Sequence, residues 1–130
     1  MRAMVSLTLI LVLPVLALAS PQLQGPMGFL QIEGMEPMTQ DDLSRFTAFA
    51  MRLADASRTD PRVIPLLEET LSGASRGIVK RSIAYLALMT TGREQSARIR
   101  VGANVRDQAV MKIVRACLYL QENLTMVPGQ

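Results

Sequence analysis

The sequence predicts an all-α protein: a small bundle of about four helices, after a cleaved signal peptide and a disordered or extended lead. Three observations carry that expectation. Apolar residues recur at helical spacing in four stretches, as on a buried helix face. Residues suited to helix caps stand at the ends of those stretches. No run alternates apolar and polar residues with a period of two, so no strand is expected.

Residues 1–19 have the pattern of a secretory signal peptide. Arg2 supplies the positive start, and Met4 to Leu16 is nearly continuous apolar sequence. Ala17-Leu18-Ala19 places small residues where cleavage before Ser20 needs them. The apolar run is shorter than the ~20 residues of a membrane span, so no stable span is expected. Cleavage leaves 111 residues with 13 basic and 11 acidic side chains, a net charge of +2. Such a chain is exported, to the periplasm or as a secreted protein, where the surroundings are oxidising.

Residues 20–38 carry three Pro and three Gly without a sustained period, which predicts the lead. Phe29, Leu30 and Ile32 are its candidates for clamping onto the domain. The helical domain spans 39–124. Its first helix is expected from about Asp41 to Ala54, with Thr39 as N-cap and Asp42 three residues on, near a capping box. Leu43, Phe46, Ala50 and Leu53 form its buried stripe.

The second helix opens with Asp60 as N-cap and Pro61 at the first helical position, where a missing amide costs nothing. Ile64, Leu67 and Leu71 form its stripe, and Gly73 ends it as a residue suited to positive φ. The third helix runs from about Gly77 to Met89 and is apolar around most of its circumference, so it is buried from several sides. Gly92 closes it. Residues 93–104 are polar and Arg-rich, a short helix or a loop. The fourth helix follows Asn104 as N-cap and runs to about Gln121. Gln108, Lys112, Arg115 and Glu122 make its wet stripe, opposite Val110, Ile113, Val114, Cys117 and Leu118. Residues 125–130 are a tail.

Pro65-Leu66-Leu67 in one helix, with Val79-Lys80 and Ile83-Ala84 in the next, resembles a HEAT-type helical repeat unit. Val105-Arg106-Asp107-Gln108-Ala109 is a cleaner copy of the second-helix start in that family. The resemblance covers about residues 61–120 and implies HEAT-like helix pairs.

Composition removes several chemistries. There is no His, hence no imidazole base or imidazole metal ligand, and one Cys excludes an internal disulfide or a Cys-based zinc site. Five aromatics are too few for a base-stacking platform and export argues the same way, so no nucleic-acid partner is expected. Ser82, Thr91 and Ser96 have no His to activate them, so no catalytic residue, cofactor or metal is assigned and no enzyme is expected. Asn123-Leu124-Thr125 is a glycosylation sequon. Cys117 reads either as a small buried hydrophobe or as the site of an intermolecular disulfide.

Charge points to a surface. Residues 20–69 carry a net of −4 and residues 70–130 a net of +6. Arg93, Arg98, Arg100, Arg106, Lys112 and Arg115 form the candidate binding surface. If the segment before the last helix is extended, Arg98 and Arg100 face one way. Arg guanidinium groups suit carboxylates, so the expected partner is another protein with an acidic surface. The expected function is an exported, non-enzymatic helical protein acting as adaptor, chaperone, inhibitor or immunity-type partner. The alternative is a small exported ligand carrier or enzyme with a cavity between its helices.

Overall fold

Thr39 caps the first helix as expected. Its hydroxyl accepts from the Asp42 amide at 3.2 Å, and the Asp42 carboxylate accepts from the Thr39 amide at 2.9 Å. This complete capping box opens α1, Gln40–Ala56. The Thr39 amide, then the Thr39 hydroxyl, hold the Asp42 carboxyl below its ordinary pKa. The computed structural model describes residues 30–73 and 75–126, with backbone only for 124–126. The expected signal peptide, the expected lead before Leu30, the sequon's Leu124 and Thr125 side chains and the last four residues lie outside that description.

Four further helices follow among the described residues: α2, Val63–Ser72; α3, Ile78–Thr90; α4, Glu94–Arg98; and α5, Val105–Met126. The described chain is all-α, with one isolated bridge and no strand.

The second helix begins later than Asp60 and Pro61 suggest. The Asp60 carboxylate accepts from the Arg62 amide at 3.0 Å, so Asp60 to Arg62 form a turn ahead of α2. Pro65 then falls in the first turn of the helix, where amides have no intrahelical acceptor. Gly73 ends α2 with φ −78°, not the expected positive value. Gly92 does use the left-handed region after α3, at φ +80°. The α5 start matches its cap: Asn104 Oδ1 accepts from the Asp107 amide at 2.8 Å.

From Leu30 onward the lead is an ordered arch rather than a disordered segment, and Leu30 and Ile32 clamp onto the domain as expected. Leu30 and Met38 exchange both backbone hydrogen bonds, at 2.8 and 2.9 Å, across a turn with Gly34 at φ +82°. Leu30, Ile32 and Met38 are buried in the core. Three buried apolar side chains offset the entropy of ordering this short arch.

α3 is the centre, touching each of the other four helices. Ala84, Tyr85, Leu86, Ala87 and Leu88 are all buried, a run no single stripe explains. Leu43 and Ala50 reach it from α1, Leu67 and Leu71 from α2, and Val110, Ile113, Val114 and Cys117 from α5. No helix among the described residues is long and apolar enough to cross a membrane.

Candidate functional site

Arg81 belongs to the Arg-rich half of the sequence, yet it is 2% exposed. Its Nε donates to the Leu71 carbonyl at 2.9 Å, in the last turn of α2, where carbonyls lack helical partners. Its Nη1 stands 2.7 Å from Asp107 Oδ1, in the first turn of α5. The contact is ionic rather than a well-directed hydrogen bond. Asp107 Oδ2 also accepts from the Gly102 amide at 2.6 Å. That amide, more than Arg81, holds the Asp107 carboxyl below its ordinary pKa, against the opposing effect of burial. The pair places a cation at the negative end of α2 and an anion at the positive end of α5. It joins three helices and offers no open position to a ligand.

The six basic residues expected to form one surface do not converge. Residues 94–98 are helical, so Arg98 and Arg100 do not project together as they would from a strand. Arg98 pairs with Glu94 at 2.9 Å, and Arg93 donates to the Thr91 carbonyl at 3.1 Å. Arg100 turns inward. Its Nη1 donates to the Ser96 hydroxyl at 3.0 Å and its Nη2 lies 3.7 Å from Glu68, which accepts from that hydroxyl at 2.5 Å. This cluster ties α4 to α2. Arg106 donates to the Arg76 carbonyl at 2.8 Å.

What the fold does bring together lies along α5. Gln108, Lys112 and Arg115 are exposed and form a ridge between two grooves. One groove, of about 380 Å³, holds Arg98 and Arg115 over Tyr85, Met89, Met111 and Leu118. The other, of about 640 Å³, holds Arg106 and Lys112 beside Ile32, Met35 and Ile78, with Glu33 at its edge. Gln108 borders both. Lys112 and Arg115 have no carboxylate partner among the described residues.

Cys117 is buried, and its thiol donates to the Leu43 carbonyl at 3.5 Å. Burial pushes the thiol pKa up, and the Thr47 hydroxyl offsets part of that shift. The intermolecular disulfide is therefore corrected: a second chain cannot reach this sulfur unless α1 and α5 separate. No group of three or more Cys, Asp or Glu among the described residues is arranged to hold a metal ion.

A third groove was not legible in the charge pattern. It lies between α1, α2 and α3 and measures about 490 Å³. Phe49 and Leu66 form its lips, 49% and 58% exposed, and Leu67 and Ala84 lie buried in its floor. The available signal was Leu66-Leu67: a helix cannot bury two adjacent leucines on one narrow stripe.

No protein-family model matches the chain, and no curated protein or solved structure matches it significantly.

Proposed function

We propose that the protein is an exported, non-enzymatic helical protein that binds another protein through the basic ridge of α5. One observation carries the reading: Lys112 and Arg115 stand exposed without carboxylate partners on a ridge flanked by two part-apolar grooves. A free cation in solvent is neutral for folding. Opposite a partner's carboxylate it speeds encounter and fixes orientation. The adjoining Met89, Met111 and Leu118 supply the apolar area that charge alone lacks. An acidic surface with one or two protruding apolar side chains fits this arrangement. Within this reading α2 and α3 form a HEAT-like pair that supports α5 from behind.

The test compares the exported fraction retained by the wild-type protein with that retained by Lys112→Glu/Arg115→Glu. A partner held at low salt, released as salt rises and lost in the charge-reversed variant supports the proposal. Equal retention by both proteins, or none by either, overturns it. Export is checked by the mass of the mature protein, expected to begin at Ser20.

A further inference from the structure

The groove between α1, α2 and α3 has two unlike ends. Thr70 in the last turn of α2 and Lys80 in the first turn of α3 flank the α2–α3 connection. Leu53 in the last turn of α1 and Val63 at the start of α2 flank the α1–α2 connection. One end is therefore polar and cationic, the other apolar. Phe49, Leu66, Leu67, Ile83 and Ala84 line the length between them.

Each helix presents a single stripe to the groove. Phe49 and Leu53 are four residues apart, Val63, Leu66, Leu67 and Thr70 follow at three, four and seven, and Lys80, Ile83 and Ala84 at three and four. Lys80 is the only ionisable residue in the lining. Its ammonium has no carboxylate partner, and the Thr70 hydroxyl has no hydrogen bond, among the described residues. The nearest carboxylate along α2, that of Glu69, lies 4.0 Å from Arg76 instead. Arg52 adds a second positive charge outside the lip, 5.9 Å from the centroid of the Phe49 ring. The volume of about 490 Å³ falls within the range of small-molecule sites.

We infer that this groove binds a single-chain anionic amphiphile, with its head at Lys80 and Thr70 and its tail laid toward Leu53 and Val63. Charge complementarity selects the head: an anion meets Lys80 without a competing carboxylate, whereas a cationic head is repelled. The distance from Val63 to Thr70 sets the tail length, about 10 Å at 1.5 Å per helical residue. That length suits a free medium-chain carboxylate. Binding covers Phe49 and Leu66, the exposed apolar lips.

The experiment titrates the full chain with decanoate, octanoate, decanol and decyltrimethylammonium below their micelle concentrations, read by amide NMR shifts. Decanoate is expected to bind saturably and to shift Val63, Thr70, Lys80 and Ile83 rather than α5. Octanoate, two methylenes shorter, is expected to bind about tenfold more weakly. Lys80→Gln is expected to weaken decanoate about fivefold and leave decanol unchanged. Leu66→Glu, at an exposed position, is expected to abolish decanoate binding. Decyltrimethylammonium binding as well as decanoate overturns the assignment, as does a Lys80→Gln variant with unaltered decanoate affinity. Shifts confined to α5, or appearing only at micelle-forming concentrations, overturn it too.

Discussion

The two sides of α3 are finished differently. Toward α5, Arg81 meets Asp107, and Ser82, which donates mainly to Ile78, also lies 3.4 Å from the Val110 carbonyl. Solvent is shut out, and Val110, Ile113 and Val114 are fully buried. Toward α1 and α2, Leu67 and Leu71 are equally buried, but Leu66 and Phe49 are left in water beside an open groove. Both sides are rich in aliphatic side chains. The closed side carries the polar network, and the open side carries unmatched apolar surface. Packing and polar contacts hold the first together, whereas on the second the exposed lips Phe49 and Leu66 add little to a core already closed by Leu43, Ala50, Leu67 and Leu71.

The largest break in that contrast is Asp107→Ala. It leaves Arg81 as an unpaired buried charge and the Gly102 amide without its acceptor, and is expected to cost about 3–5 kcal/mol. Denaturant unfolding measures it, and a loss below about 1 kcal/mol would show that Arg81 finds water or another acceptor. Replacing Arg81 and Asp107 together by apolar residues of similar volume is expected to cost much less than Asp107→Ala alone.

Acid probes the same side without mutation. Asp107 has a folded pKa below its ordinary value of 3.8. A carboxylate so depressed contributes stability above its unfolded pKa and loses it as pH falls through the folded pKa. Thermal midpoints should therefore drop below about pH 4, and Asp107→Asn should flatten that limb. An unchanged limb in the variant would place the acid sensitivity elsewhere, with Asp42 the next candidate.

Caps give a middle-sized effect. Asn104→Ala and Thr39→Ala are each expected to cost about 1 kcal/mol. Asn104 should cost more, because its bond positions Asp107 as well as capping α5. Equal losses would show that the Asp107 carboxylate holds its place without that cap.

The smallest effect belongs to the open side. Leu66→Ser is expected to change stability by no more than about 0.5 kcal/mol. A loss above about 2 kcal/mol would mean that the groove closes over Leu66 in solution, and that the two sides of α3 are alike after all.

Helix starts were legible where a short polar side chain can reach a free amide, as Thr39 and Asn104 do. Gly92 was legible too, because few other residues accept its φ. Gly73 was not, since its place after the last apolar residue suits either φ. Arg81 was missed because an arginine between Lys80 and Ser82 reads as part of a solvated face, and its partner is 26 positions away. The Arg98–Arg100 pair was misread because one helical turn, Glu94–Arg98, reverses the facing that an extended strand would impose. The distinction between Leu66 and Leu67 depends on how α1 and α3 stack, which no local spacing reports.

The buried arginine also bears on synthesis. A chain that has emerged only as far as Ala103 has α1 to α4 complete but no counterion for Arg81, because Asp107 has not yet arrived. Until then the face of α3 that α5 covers stays open to water, so Arg81 is solvated and the buried pair forms only as α5 docks. A product truncated before Asp107 also lacks Val110, Ile113, Val114 and Cys117 from the core, and is expected to stay open to proteolysis rather than persist as a folded stub.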